Sequence, residues 1–333
     1  VMVTVIYALL PCFFFGIWNA GNQYNMAHAV ANAGFVQDMI RGAIIVMPLI
    51  IVSYAVGGFW EVLFSCIRKH PINEGLLVSG FLFPLVLPPT IPLWQAAVGI
   101  SFGIVIGKEI FGGTGMNIVN PALLSRAFIF FAYAKSMTGN VWIAAKGDAV
   151  VDAVTGATPL GILSALPEGT TAADAIASGQ VSFMQMFIGN MPGSIGETSA
   201  LACLIGCAML LAAGVASWRI ILACVLGLLS TAAVAKFFGS TPMSQIPIHY
   251  HLVAGGFAFG AIFMATDPVS AAATNAGKWN YGFLIGMLGI IVRVLTAGFP
   301  EGVMLSILFM NLMAPLIDSV VVENSSGSKR ERA

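Results

Sequence analysis

The chain has 333 residues, of which 58% are hydrophobic and only 8% charged, and its 14 basic and 14 acidic side chains cancel. A mean hydropathy of +0.93 lies far from soluble-domain composition, so lipid must be the solvent for much of the apolar surface. The balanced charge leaves no basic face for nucleic acid.

The opening run VMVTVIYALLPCFFFGIW has neither a basic n-region nor a cleavage site. It reads as a spanning helix, with a polar extension trimmed from in front of it. A span takes about 20 apolar residues, fewer where neighbours cover its ends, and on that scale about ten follow. In the first half they fall at 1–18, 40–64, 75–89, 92–107 and 118–134. In the second they fall at 182–214, 219–236, 249–265, 281–297 and 301–319. The predicted class is therefore an all-α polytopic membrane protein. Two spans are expected to be broken: FLFPLVLPPTIPLW carries Pro84, Pro88, Pro89 and Pro92, and GNMPGSIGETSALACL carries Pro192 and Glu197. Irregular backbone at membrane depth is tolerated only where protein or a cavity surrounds it, so the breaks point to a functional interior.

Basic residues set the orientation. Arg68, Lys69, Lys108, Arg219, Lys278, Lys329, Arg330 and Arg332 fall on one side of such a plan, assigned to the cytoplasm of a bacterial inner membrane. Arg41 and Lys236 are exceptions near helix ends. The long segment 135–181 then lies on the periplasmic side, and the C-terminus in the cytoplasm. Four regions result: a first five-helix repeat (1–134), the periplasmic loop (135–181), a second five-helix repeat (182–322) and a polar tail (323–333).

The two halves resemble each other. A shift of 176 positions aligns Leu76, Gly80, Phe81, Phe83, Thr90 and Pro92 with Leu252, Gly256, Phe257, Phe259, Thr266 and Pro268. Further on, LLSRAF answers MLSILF. An offset of five spans inverts the second half, giving two inverted five-helix repeats with sites gathered near the midplane. Gly99, Gly103 and Gly107 are read as helix-packing residues. GGTG at 112–115 lacks the Lys-Ser/Thr of a phosphate loop. Cys203 and Cys207, at i and i+4, read as apolar packing residues without a second pair to make a metal site.

In the outer loop, Asp152-Ala-Val-Thr155-Gly156-Ala157-Thr158-Pro159 strips steric cover from the Thr158 hydroxyl. A helix N-cap with proline at the next position reads equally well. D-x-x-T-G-A-T is similar to the signature at which a flavin transferase attaches FMN to the last threonine. KHPINEGLLVSGFLFPLVLPPTIPLWQ, GKEIFGGTGMNIVNPAL, GSIGETSALACLIG and FMATDPVSAA closely resemble the NqrB family, membrane subunits of the sodium-translocating NADH:quinone oxidoreductases, over nearly the whole chain. The RnfD proteins of the related Rnf complexes share the signature and the ten-span plan, but the proline-rich block favours the quinone reductase.

That resemblance implies a redox subunit with covalent FMN on Thr158, flanked by Asp152, Thr155, Gly156 and Ala157, and a second, non-covalent flavin, riboflavin. Electrons would come from a neighbouring flavoprotein subunit and pass to ubiquinone, coupled to outward movement of Na+. Other membrane subunits, a flavin transferase for maturation and the lipid bilayer are the implied partners. For the inner flavin the candidates are Asn117 and Asn120, whose amides suit a pyrimidine edge or a helix cap. Arg126, a charge inside a span, is a third, and it could answer Glu109 or Asp267. For quinone, Gly57 and Gly58 are expected to open a slot beside Glu61, with Glu74 and Gly75 across the loop. A surface pairing of Glu74 with Arg68 or Lys69 is the plainer alternative. Glu61, Asp267 and Asp318 are candidates for the Na+ pathway, and Glu197 either belongs with them or caps backbone amides. A non-redox channel or transporter with the same inverted plan would have no use for the flavin-attachment signature.

Overall fold

A computed structural model describes residues 2–30, 34–69, 74–144, 156–166, 170–239, 241–296 and 302–330, with side chains to 324. The described chain is helical, without strands. Its elements are α1 (Met2–Ala27), α2 (Phe35–Arg68), α3 (Gly75–Leu85), α4 (Leu93–Ile104), α5 (Pro121–Ala132), α6 (Pro159–Ser164) and α7 (Ala172–Ala177). They continue with α8 (Phe183–Ile188), α9 (Ala200–Ala212), α10 (Trp218–Phe238), α11 (Tyr250–Val253), α12 (Phe257–Phe259), α13 (Asn275–Leu295) and α14 (Val303–Arg330). Among the described residues, α1, α2, α10, α13 and the 303–324 part of α14 are long and apolar enough to cross a membrane.

The remaining apolar helices are too short to span alone, because α3, α4, α5 and α9 have only 11 to 13 residues each. The 182–214 run divides into α8 and α9 around the 189–199 turn, which contains Pro192 and Glu197. The 249–265 run is also broken. Gly255 adopts φ +65 between α11 and α12, and a π-helical turn follows at Gly260–Met264. Only a residue without Cβ takes that left-handed turn at no steric cost.

Small residues set the helix spacing. A Cβ on Gly21 would stand 1.8 Å from the Asp38 carbonyl, and one on Gly42 1.7 Å from that of Ile17, so α1 and α2 cross backbone to backbone. At the α4–α5 contact, Cβ atoms on Gly99 and Gly103 would strike Ile129 and Ser125, as the Gly-xxx-Gly reading requires.

The two proline breaks meet in the interior. The N–H groups of Ile195 and Gly196 donate to the Leu87 and Leu85 carbonyls at 3.1 and 2.7 Å. Buried backbone groups freed by a broken helix must find such partners. Side chains of α1 hold the second break in place: Asn19 donates to the Met191 carbonyl at 2.9 Å, and Asn22 and Gln23 both reach the Asn190 amide oxygen.

Candidate functional site

Thr158 stands at the N-terminus of α6, in extended backbone, with its hydroxyl accepting from the Gly161 N–H at 3.1 Å and Pro159 opening the helix. The cap reading of this threonine therefore holds in its geometry. The side chain is only 7% exposed, so its hydroxyl is not presented to bulk solvent as the small neighbours suggest. It lines a cavity of about 320 Å³ instead. Gly156 matters for packing, since a Cβ there would lie 2.7 Å from the Asn140 carbonyl. The cavity is walled by Phe130, Met137, Trp142, Ala157 and Met304, and Arg126 of α5 lines it too. Asp152 and Thr155 lie outside the described residues.

Arg126 pairs with Glu197. Its Nε donates to the Val86 carbonyl at 2.9 Å, in the first break, and its Nη2 lies 3.9 Å from Glu197 Oε2, in the second. Glu197 also borders a small void of about 20 Å³ with Thr158, Ser194 and Thr198. One charge pair thus joins both breaks to the cavity below Thr158.

Asn117 and Asn120 are both buried. Asn120 caps α5, its oxygen accepting from the Ala122 and Leu123 N–H groups, and its nitrogen lies 3.4 Å from Asp267 Oδ2. The Asn117 amide donates to the Val119 carbonyl at 3.0 Å. Asp267 accepts from the Val269 N–H at 3.2 Å and the Ser270 hydroxyl at 3.0 Å. Asp318 accepts from the Ala273 N–H at 2.7 Å, and from the N–H and hydroxyl of Thr274, the cap of α13. Each aspartate accepts three donors, those of Asp318 all from the turn that starts α13.

The α2–α4 contact differs. The last turn of α4 widens into a π-helical turn, Val105–Glu109. It buries Lys108, which therefore does not belong among the loop charges used for orientation. The Lys108 Nζ donates to Glu61 Oε1 at 2.7 Å, and each residue is 2% exposed. Two turns along α2, Arg68 lies 3.7 Å from Glu109, so Arg68 does not serve Glu74. Leu76 of α3 packs against Gly57 and Gly58: a Cβ on Gly57 would stand 2.9 Å from Leu76 Cδ1, and one on Gly58 at 3.6 Å from Leu76 Cδ2. Gly75 likewise lies under Thr114. Glu74 is exposed, and among the described residues no hydrogen bond joins it to Glu61.

Two buried groups were not foreseen from the sequence. Arg293, 1% exposed in α13, donates to the His251 and Ala254 carbonyls at 3.1 and 3.0 Å and lies 3.2 Å from His251 Nδ1. Its signal was an arginine in GIIVRVL, an apolar run. Cys12 and Cys203 bring their sulfurs to 3.8 Å as buried free thiols.

The family profile described as NQR2, RnfD, RnfE family matches residues 1–327. Among curated relatives, the NqrB protein of Stutzerimonas stutzeri (strain A1501), a subunit of its Na(+)-translocating NADH-quinone reductase, is 48% identical, over 97% of this chain and 83% of that protein. The corresponding protein of Klebsiella pneumoniae (strain 342) is 47% identical, over 99% and 86%. That of Neisseria meningitidis serogroup A is 45% identical, over 100% and 86%.

Proposed function

The chain belongs to the NQR2, RnfD, RnfE family, and from that premise we infer that it is a membrane subunit of a sodium-translocating NADH-quinone reductase, working as one part of a multi-subunit oxidoreductase. The names of its relatives favour this over an Rnf-type role. Within that enzyme the chain carries FMN on Thr158, binds a second flavin, riboflavin, and passes electrons toward ubiquinone with export of Na+. It sits in the bacterial inner membrane as two inverted five-helix halves, with the Thr158 loop outside and the C-terminus in the cytoplasm.

The observation that carries this reading is the cavity below Thr158. A hydroxyl on a helix cap opens onto about 320 Å³ of mostly apolar space with a cation, Arg126, in its lining. These residues fit a phosphate-tethered flavin: Thr158 as the attachment point, Phe130 and Trp142 as apolar walls, and Arg126 as a counter-charge. Bound there, a flavin supplies electron transfer, and the protein's share is its orientation and electrostatics. Arg126 is itself fixed by Val86 and Glu197, so its charge is held in position before any ligand arrives. For riboflavin, Asn117 and Asn120 remain the proposed contacts. An amide has two donors and one acceptor oxygen, and capping does not exhaust them. Glu61, with Gly57, Gly58, Glu74 and Gly75 around the same helix end, is the proposed quinone region. Of the proposed Na+ ligands Glu61, Asp267 and Asp318, the geometry favours Glu61, because its buried Oε2 accepts no hydrogen bond among the described residues while each aspartate already accepts three.

Thr158→Asn separates attachment from capping, since asparagine is as good an N-cap but has no hydroxyl. Co-expressed with a flavin transferase, the wild-type chain is expected to run as a fluorescent band with one FMN-sized mass increment. The Thr158→Asn chain should accumulate normally and lack both. A fluorescent, mass-shifted Thr158→Asn chain would overturn the assignment.

A further inference from the structure

We propose that Lys108 is a tethered cation that holds, at Glu61, the place taken by a sodium ion during transport, and that sodium is admitted there by displacing the lysine ammonium. This rests on the reading above that Glu61 lies on the sodium route. What it adds is the competitor.

The pair is closed to solvent and poorly satisfied. Lys108 has three N–H donors, and among the described residues its ammonium makes one hydrogen bond, to Glu61 Oε1. Glu61 Oε2 is buried and accepts none among the described residues. A buried ion pair kept only for structure needs its remaining protons and lone pairs satisfied. Two other charged groups in the molecule are well satisfied. Asp318 accepts three donors, and Arg293 has two carbonyls and an imidazole. At Glu61 an oxygen is left over, beside a cation on a flexible stem.

The chemistry matches a monovalent cation. Sodium and an ammonium both carry one positive charge, so exchange leaves the net charge of the buried region unchanged. That avoids the large cost of an uncompensated carboxylate at membrane depth. The π-helical turn at Val105–Glu109 supplies a route for the displaced ammonium. Single π turns recur at functional positions, and relaxing one to α-helical register rotates its last residues relative to α2. Glu109, next to Lys108, leads to Arg68, whose side chain is 31% exposed, and so marks the way out of the buried region.

The test is the apparent KM for sodium of NADH-driven quinone reduction by the assembled complex in membrane vesicles. Lys108→Gln removes the competing charge and should lower that KM by about tenfold, because a competitor that fills the site raises the apparent dissociation constant, which is the intrinsic one divided by the open fraction. Lys108→Arg holds the carboxylate with a two-pronged guanidinium and should raise it. General disruption of the fold would not move the two in opposite directions. Equal KM values, or shifts of the same sign, overturn the proposal. If Lys108→Gln fails to assemble, Lys108→Arg decides alone, and an unchanged KM there overturns it. Glu61→Gln tests the premise separately. Should that variant keep the wild-type KM, sodium does not use Glu61 and the underlying reading falls. Should it raise KM while both Lys108 variants leave KM in place, only the displacement falls.

Discussion

Asp318 and Glu61 are both carboxylates on long apolar helices, and the fold treats them in opposite ways. Asp318 is half-buried at the start of α13, where two backbone N–H groups and the Thr274 hydroxyl surround it. Glu61 is fully buried on α2, and among the described residues its one hydrogen-bonding partner is a lysine. The first arrangement uses neutral donors, two of them backbone groups that cannot leave without unwinding a helix end. The second uses a charge on a flexible stem, which another charge can replace. Acids on a membrane helix thus divide into scaffold and exchangeable groups by the kind of donor that meets them. Burial alone would have ranked Glu61 as the more structural of the two.

Arg126 and Glu197 offer the hardest test of that distinction, because their pair lies between the two breaks. Arg126→Leu leaves Glu197 buried without its guanidinium and should cost about 3–5 kcal/mol. The level of folded chain in membranes should collapse. Combining it with Glu197→Leu should recover much of that level, since two apolar residues remove the unpaired charge. A double variant no better than the single would show that the pair is not the source of the loss.

Asp318→Ala removes an acceptor of three donors at a helix start and should cost about 1–2 kcal/mol, in the range of a lost cap. Asp318→Asn should recover part of it. The apparent KM for sodium should stay at the wild-type value in both, as read from the assembled complex. A shift in KM at wild-type stability would move Asp318 from scaffold to ion route.

The smallest effect concerns Asp174, on α7. The Thr171 backbone N–H, then its hydroxyl, holds the Asp174 carboxyl below its ordinary range. A depressed folded-state value means that this contribution is fully present above the ordinary carboxylate range and is lost as pH falls through the lowered value. Amide protection factors across Ala172–Ala177, corrected for the pH dependence of intrinsic exchange, should therefore fall on strong acidification and be flat from mild acid to neutral pH. In Asp174→Asn the acid-dependent part should vanish.

Much of this architecture was legible in the chain because it depends on near neighbours. Thr158-Pro159 starts a helix whatever surrounds it, and Thr171-Ala-Ala-Asp174 forms its capping box within one turn. The prolines of 84–92 break a helix because each removes an N–H. Near neighbours could not show what lies across the space between helices. Gly57 and Gly58 looked like a slot, and only the approach of α3 shows Leu76 lying against them. Lys108 looked like a helix-end cation at the surface. The π-helical turn that carries it inward depends on α2 being there with Glu61.

Sequence alone determined the solvent, since a chain this apolar must bury its helices in lipid, and it placed the proline breaks and several helix starts. It also displayed the charges that cannot be left alone there. The tertiary structure decided which charge meets which. Arg126 could have reached several acids and meets Glu197, and Lys108 meets a glutamate 47 positions away. The reason is the short reach of the forces. Hydrogen bonds and buried ion pairs act over about 3–4 Å, a distance that chain order does not encode once helices have packed.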